Sequence, residues 1–263
     1  QTLEPRAFYT YTPYKDQSML PMFDTGLLDL NQNSIFTENQ FVGGDRVIDA
    51  NQITLAATTR FIDNTGIERL SGTIAQRFYM SDRKVLNEVQ FANSVYKSDS
   101  TDLFMLAFAR LSSSLTVDTE LQYNPDESST NRATVSSNFS PQPGKLIDAS
   151  YRLIRSPSGS ANDLEQINIA GQWPVGNGYS TVGRYNYDIK KSGVVEALGG
   201  LSYDAGCWSS SVLLHRLSLA TTKKSNYTLF FQLELGGLGS LGTSKASLVD
   251  IINRNVPGSY SSS

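Results

Sequence analysis

A histidine with serines close by in the chain is the first feature that could do chemistry. His215 is the single histidine, and Ser209, Ser210 and Ser211 precede it. A serine nucleophile needs an imidazole within hydrogen-bond reach and a carboxylate that orients the imidazole. If this segment is a strand, Ser209 and Ser211 share a face with His215, but even adjacent residues on one strand face are about 7 Å apart. No Gly-x-Ser-x-Gly motif occurs, so the sequence predicts a solvated or lumenal histidine and no enzyme.

Metal and cofactor chemistry has little support. One histidine and one cysteine, Cys207, supply few of the ligands that zinc sites use. The glycine-rich stretch 236–242 has spacing similar to that of a nucleotide-binding loop, but no β-α-β pattern surrounds it. We interpret this stretch as a flexible exit from a strand, and we expect no metal and no cofactor.

The totals argue against one class of partner and leave the membrane question open. The net charge of −3 and the lack of a basic cluster argue against a nucleic-acid partner. Mean hydropathy is −0.27 and 39% of the residues are hydrophobic, which is typical of a soluble protein. Strands of a membrane barrel are apolar on one face only, however, so their average also looks soluble. The 13 tyrosines and 12 phenylalanines would suit membrane–water interfaces.

Alternation of apolar and polar residues is the strongest structural signal, because side chains of a strand point to opposite faces in turn. The alternation is clean in 52–62 and 115–123, and it holds in 227–235 with Phe230 as the single exception. By this rule the chain contains about twelve strands and almost no helix. The predicted strands are 7–12, 52–62, 68–80, 103–111, 115–123, 132–140, 146–155, 166–173, 179–188, 193–204, 208–217 and 227–235.

Short and long connections alternate between these predicted strands. Outer-membrane barrels have short periplasmic turns and longer external loops, so the chain is expected to enter and end on the periplasmic side. The long stretch 13–50 is expected to be a functional or surface loop. Tyrosines near strand ends, such as Tyr79, Tyr123 and Tyr227, fit interfacial girdles. The pattern therefore predicts an all-β fold, namely an antiparallel transmembrane β-barrel or a large section of one.

Charged residues on the polar strand faces would line the lumen of such a barrel. They are Arg60, Arg69, Arg77, Asp118, Glu120, Asp148, Arg152 and Arg184. Both signs are present, which fits a water-filled or plugged interior better than a strongly ion-selective pore.

Two alternatives to a translocating barrel remain open. One is a general diffusion porin or other passive channel. The other is a soluble β-sandwich or lipocalin-like binding module, which also alternates. The soluble alternative is less favoured, because about twelve strands would enclose a core wider than side chains can fill.

Several short segments, in their order and spacing, resemble one family over nearly the whole chain. The segments are Leu3-Glu4-Pro5-Arg6, Pro13-Tyr14-Lys15-Asp16-Gln17, Gly43-Gly44-Asp45-Arg46, Ala50-Asn51-Gln52-Ile53-Thr54, Glu68-Arg69, Trp173-Pro174, 203–208, Leu233-Glu234-Leu235-Gly236-Gly237-Leu238-Gly239 and Arg254-Asn255-Val256-Pro257. Together they are similar to the C-terminal part of LptD (also called Imp or OstA), the outer-membrane family of lipopolysaccharide assembly.

The resemblance implies a function that composition cannot indicate. LptD-like proteins form a very large barrel around an LptE-like plug lipoprotein and receive lipopolysaccharide from a periplasmic LptA-like bridge protein. They release it into the outer leaflet through a lateral opening between the first and last strands. By resemblance, 1–263 is the C-terminal half of such a barrel in the cell outer membrane. Strands would continue to about residue 235, and 236–263 would form a periplasmic C-terminal tail.

The resemblance also assigns residues and neighbours. A periplasmic lipid-binding domain and the first gate strand would lie upstream of Gln1, and outer-membrane lipids would surround the barrel. The last strand would be one lip of the lateral gate. Its residues are Tyr227, Thr228, Leu229, Phe230, Phe231, Gln232, Leu233, Glu234 and Leu235.

One position departs from the family pattern. Many members have two adjacent cysteines, each bonded to the N-terminal region, where this chain has Gly206-Cys207. The resemblance therefore implies one long-range disulfide at Cys207 rather than two.

Overall fold

The chain is almost entirely β-strand in the computed structural model, which describes residues 1–31, 34–85, 98–155, 163–218, 225–235 and 239–242. The strands are β1 (Thr2–Thr12), β2 (Gly26–Leu27), β3 (Phe41–Val42), β4 (Ala50–Ile62), β5 (Glu68–Tyr79), β6 (Leu103–Arg110), β7 (Leu115–Asn124), β8 (Ser129–Gln142), β9 (Lys145–Ile154), β10 (Leu164–Gly176), β11 (Tyr179–Asp188), β12 (Gly193–Asp204), β13 (Trp208–Ser218), β14 (Ser225–Leu235) and β15 (Gly239–Gly242). Within the described ranges, no helix has the length and apolar character needed to span a bilayer.

Thirteen of these strands pair in one sheet, in chain order from β1 and β4 through to β15. Strands β2 and β3 form a separate two-stranded sheet within the connection between β1 and β4. Neighbouring strands of the sheet run antiparallel, as β4 and β5 do from Gln52 opposite Tyr79 to Arg60 opposite Ser71. The prediction of an all-β antiparallel fold with about twelve strands is therefore confirmed.

The two ends of the sheet differ from the predicted strand bounds. β1 begins at Thr2 rather than Ala7 and includes Pro5, which lies opposite Ala57 of β4. Proline has no N–H to donate, but β1 pairs with β4 alone among the described strands, so it is an edge strand that tolerates proline. At the other end, β15 pairs with 232–235 of β14, although no strand was expected after Leu235.

Large apolar side chains are exposed on alternate positions of the strands. On β5, Leu70, Ile74 and Phe78 point to one face and are all exposed. We call this the outer face. Exposed residues of the same kind on other strands include Leu55, Phe61, Ile147, Ile167, Ile169, Tyr185, Leu201, Val212 and Leu214. In a soluble β protein the apolar strand faces would form the core, and an apolar surface of this extent marks contact with a membrane or another partner.

The chain divides into two compact units. The first comprises Gln1–Ala109, Thr119–Ala133 and Arg155–Ser160. Its strand face opposite the outer face, which we call the inner face, is covered by the connection between β1 and β4. Buried side chains from that connection pack in two clusters, one around Ile35 with Ala75 and Phe104, and one around Phe41 with Ile48 and Val85. The connection is therefore a folded part of this unit.

The second unit comprises Arg110–Asp118, Thr134–Ile154 and Ala161–Ser263. Its inner face carries an apolar cluster formed by Ala170, Val182, Leu198 and Leu213. Leu213 lies over Gly200, where an added Cβ would come within 2.8 Å of the Val212 carbonyl oxygen and 2.9 Å of Leu213 Cγ. Glycine is required at this position because the neighbouring strand approaches too closely for any side chain.

Candidate functional site

Strand β14 is strongly paired on one edge and weakly paired on the other. It pairs with β13 along its whole length, from Trp208 opposite Leu235 to Ser218 opposite Ser225. On its other edge the four residues of β15 pair only with 232–235. Among the described residues no strand pairs with the other edge of 225–231. Within the described part of the chain, the predicted gate strand therefore presents an edge of unpaired backbone groups over most of its length.

The two faces of β14 have different environments. On the outer face Tyr227, Leu229 and Phe231 are 66%, 67% and 53% exposed. On the inner face Phe230 packs against the apolar cluster that contains Leu213. Phe230 is thus the exception to the alternation because the inner face is apolar at this point.

His215 is held by a carboxylate. Its Nε2 lies 2.8 Å from Oε1 of Glu196 on the neighbouring strand β12. Both side chains are partly buried. In the described part of the chain, no hydrogen bond joins the imidazole to Ser209 or Ser211. The orienting carboxylate of a triad is therefore present without a nucleophile in reach, and the pair links β12 to β13.

Two of the predicted lumenal residues lie in one cross-strand row of the second unit. Asp148 and Arg184 both face Ala170, from opposite sides. Asp148 Oδ1 accepts a hydrogen bond of 2.6 Å from Asn138, and Arg184 Nε donates one of 3.2 Å to Asn168. Both charged side chains are buried. Buried charge needs such partners, so this row is an ordered polar network.

Three residues of this network were not singled out from the sequence: Asn138, Asn168 and Glu196. Arg184 Nη1 lies 4.0 Å from Glu196, so the network continues to His215. Alternation indicates which face a residue occupies, but not which residues lie opposite one another, because that depends on register. No sequence signal marked these three residues.

Three further predicted lumenal residues lie in the first unit, on β4 and β5. Arg60 pairs with Glu4 and Glu68, at 3.2 and 2.9 Å, and Arg69 pairs with the turn residue Asp63 at 2.7 Å. The structure does not place these two with the Asp148 row. Arg77, the third of these residues, has no exposure to solvent.

Arg77 lies under the connection between β1 and β4. Its Nε donates to Oγ1 of Thr54 at 3.1 Å, and its Nη2 donates to the backbone carbonyls of Ile35 and Thr37. The side chain is fully buried. The alternation placed Arg77 on the correct strand face, but the folded connection covers that face and excludes water from it.

Among the described residues, no hydrogen bond or ion pair joins the remaining predicted lumenal residues to one another. Asp118 on β7 is exposed, whereas Glu120 on β7 and Arg152 on β9 are partly buried. Arg152 lies opposite Gln166.

The Gly43-Gly44-Asp45-Arg46 motif is hydrogen-bonded to residues 17–24, an earlier part of the connection between β1 and β4. We call these two segments together the loop tip. Asp45 Oδ2 accepts hydrogen bonds from the backbone N–H groups of Phe23 and Asp24, at 2.7 and 2.9 Å. These bonds lower the pKa of the Asp45 carboxyl, and the bond from the Asp24 N–H has the largest effect. Buried Arg46 donates to the backbone carbonyls of Gln17 and Leu20.

Glycine at the first position of this motif has a steric cause. Gly43 has φ of +85°, and an added Cβ would lie 2.7 Å from the carbonyl oxygen of Asp24. No other residue type fits there without moving the backbone.

Cys207 is exposed in the tight turn between β12 and β13. The preceding Gly206 has φ of +83°, which disfavours a residue with a side chain, and its N–H donates to Asp204 Oδ1 at 2.7 Å. The turn conformation thus favours glycine at this position. Among the described residues, no three His, Cys, Asp or Glu side chains are grouped to hold a metal ion.

Comparison with known proteins supports the resemblance seen in the sequence. The family model "LptD: LPS transport system D" matches residues 1–179. Proteins named LPS-assembly protein LptD from Thiobacillus denitrificans and Azoarcus sp. are 39% and 40% identical to this chain over 98% of its length. One from Bordetella pertussis is 39% identical, also over 98%. The chain spans 34%, 31% and 34% of these three relatives, about a third of their length. The chain belongs to the LptD family.

Proposed function

We propose that this chain is part of an outer-membrane barrel that inserts lipopolysaccharide into the outer leaflet, with β14 as one lip of a lateral gate. The name of its relatives, LPS-assembly protein, supports the cargo. The exposed apolar residues of the outer face support a lipid environment. The observation that carries the proposal is the edge of β14 over 225–231, with which no described strand pairs.

An open strand edge suits lateral release for a physical reason. An amphiphile can leave a barrel sideways only where the backbone ladder parts at modest cost, because unpaired N–H and C=O groups are expensive in lipid. β14 has a full ladder to β13, whereas among the described residues four residues of β14 are paired on its other side. A seam on that side would therefore open more readily than any seam with a complete ladder.

The partners of the proposal follow the family. An LptE-like lipoprotein would plug the lumen, and an LptA-like protein would deliver lipopolysaccharide through the region upstream of this chain. The network of buried Asp148 and Arg184 with partly buried Glu196 supports a polar interior with both signs of charge. The tail after β14, mostly outside the described residues, would lie in the periplasm. Transport of this kind involves no covalent step, so we propose a non-enzymatic role.

Photo-crosslinking in cells tests the gate. Crosslinking amino acids at Thr228, Phe230 and Gln232 of the full-length protein should capture lipopolysaccharide. Thr228 and Phe230 lie on the open edge, and Gln232 is the first residue beyond it, paired with β15. The exposed turn residue Asn64 provides the background control. Capture at the three positions no greater than at Asn64 would reject the gate. Large ion conductance by the protein without its plug would instead support a passive channel.

We also propose that Cys207 forms one disulfide with a cysteine upstream of this chain. Its exposure in a turn at the short-loop end of the sheet supports access from the periplasm. Alkylation of the folded full-length protein under non-reducing conditions tests this. A Cys207 thiol that reacts fully would overturn the proposed bond.

A further inference from the structure

A groove crosses the outer face of the second unit. Its floor consists of Gly171, Gly183 and Gly199, which lie directly opposite one another on β10, β11 and β12. Its volume is about 820 Å³, within the ~300–1,000 Å³ of small-molecule sites. Because three adjacent strands lack a side chain at the same level, the groove is a property of the strand register.

Large apolar side chains form the walls. Ile169 and Tyr185 border the floor along one side, Ile147 lies at one end, and Leu214 lies at the other. All four are exposed. The groove therefore presents an apolar trough to whatever surrounds the outer face.

Arg216 lies at the rim of this groove, and its charge is unusual for that surface. It lies opposite Ala197 on β12 and Tyr227 on β14, in the same cross-strand row as Tyr185. Among the described residues it is the one charged side chain on the outer face of β11 to β14. Its Nε donates a hydrogen bond of 3.2 Å to Ser225 Oγ, which leaves other guanidinium N–H groups for a second partner.

The position of Arg216 along β13 indicates the kind of partner. It is two residues from the end of the strand, level with two tyrosines, which is where a barrel meets lipid headgroups. An arginine at that depth reaches toward phosphates, to which its guanidinium can donate two parallel hydrogen bonds. An apolar trough that begins beside such a cation matches an amphiphile with an acyl chain and a phosphate.

We propose that this groove binds one acyl chain of lipopolysaccharide while Arg216 binds a lipid A phosphate, just outside the gate strand. This inference rests on the proposed function, because the groove extends to β13 and to Tyr227 of β14. The other edge of β14 is the open one. The bound molecule is one that has just left the gate. The groove thus receives the lipid before it diffuses into the leaflet.

Binding of lipid A to the full-length protein with its partners in detergent tests the proposal. Arg216→Gln should weaken binding of bis-phosphorylated lipid A about fivefold, the effect of one cation near a lipid surface. Ser225→Ala should bind nearly as the parent does, since it keeps the guanidinium. Arg216→Lys should keep part of the binding, since it retains the charge but not the two parallel hydrogen bonds. Dephosphorylated lipid A should bind the parent and the Gln variant equally. These arms separate a role for charge from a role for the Arg216–Ser225 hydrogen bond.

Filling the groove is the second arm. An added Cβ at Gly199 would meet no atom within 4 Å, so Gly199→Val fits the backbone and should reduce binding of either lipid A. Gly72→Val is the matched control, because Gly72 lies on the outer face of β5 with only ordinary contacts for a Cβ, at 3.9 Å. Heat-modifiable gel mobility verifies folding. If Gly199→Val does not fold, the binding of bis-phosphorylated lipid A by Arg216→Gln alone decides whether the groove is a lipid site.

The outcomes separate this inference from the gate itself. Unchanged binding in both Arg216→Gln and Gly199→Val would overturn the groove, even if crosslinking at Thr228 still captures lipopolysaccharide. Equal competition by phosphatidylglycerol would overturn the assignment to lipopolysaccharide in favour of a glycerophospholipid. Binding that depends on both residues, with no capture at Thr228, would retain the lipid site and reject the gate.

Discussion

Arg77 Nε donates a hydrogen bond of 3.1 Å to Oγ1 of Thr54, the residue directly opposite it on β4. Both side chains are completely buried. Both also bind the backbone carbonyl of Ile35, so two strands hold one point of the connection that covers them. This relationship turns a long connection into a fixed part of the first unit.

The Arg77 contacts predict a local loss of structure when they are removed. Arg77→Gln should lower the free energy of unfolding by about 2 kcal/mol, because hydrogen bonds from a charged group are lost and carbonyls remain buried. Limited proteolysis should then cleave within 34–49 faster than in the parent. Arg69→Gln is the control, since its ion pair with Asp63 is partly exposed and should contribute little. Equal protection of the connection in both variants would contradict the role of Arg77.

The lowered pKa of the Asp45 carboxyl predicts a pH dependence of the loop tip. In the folded chain this pKa lies below the usual value of about 3.9 because the ionised form accepts hydrogen bonds from Asp24 and Phe23. The stabilisation is therefore present above the unfolded pKa and is lost as pH falls through the folded pKa.

Hydrogen exchange of the Phe23 and Asp24 amides measures this effect. Their protection should persist at neutral pH and decline in acid below pH 4. Asp45→Asn, which keeps an acceptor oxygen without the charge, should remove most of the pH dependence. A variant with the same acid profile as the parent would show that another group titrates.

The contact between Gly200 and Leu213 predicts intolerance to the smallest side chain. Gly200→Ala should lower the free energy of unfolding by ~1–3 kcal/mol, because its Cβ would overlap backbone of the adjacent strand. Gly72→Ala is the matched strand glycine with room for a Cβ. Denaturant midpoints in detergent compare the two. Equal midpoints would mean that the strands do not approach as closely as described.

The register between β13 and β14 predicts a disulfide. Ser211 lies opposite Gln232 on the inner face, and Cα atoms of opposite residues are close enough for an S–S bond. Ser211→Cys with Gln232→Cys, in a Cys207→Ser background, should crosslink on mild oxidation. Ser211→Cys with Phe231→Cys should not, because a slip of one residue reverses the strand face. Crosslinking of the second pair alone would indicate a different register.

The sequence by itself determined the class of fold and most strand positions. Alternation depends only on neighbouring residues, so the bounds of β11 and β12 were predicted as the structure has them and those of β7 to within one residue. The family could also be identified from short segments such as Gly43-Gly44-Asp45-Arg46. In that segment backbone geometry requires glycine at position 43, and Asp45 and Arg46 form hydrogen bonds to distant backbone groups.

Tertiary structure decided what depends on register and on the packing of distant segments. Arg77 is buried because the connection between β1 and β4 folds over it and places the Ile35 carbonyl in hydrogen-bond contact with it. Alternation along a strand cannot predict a contact with such a distant segment. The partnership of His215 with Glu196 and the glycine floor of the groove both arise from which residues lie opposite one another. Local pattern sets the face of each side chain, whereas only hydrogen bonding between strands sets its neighbours.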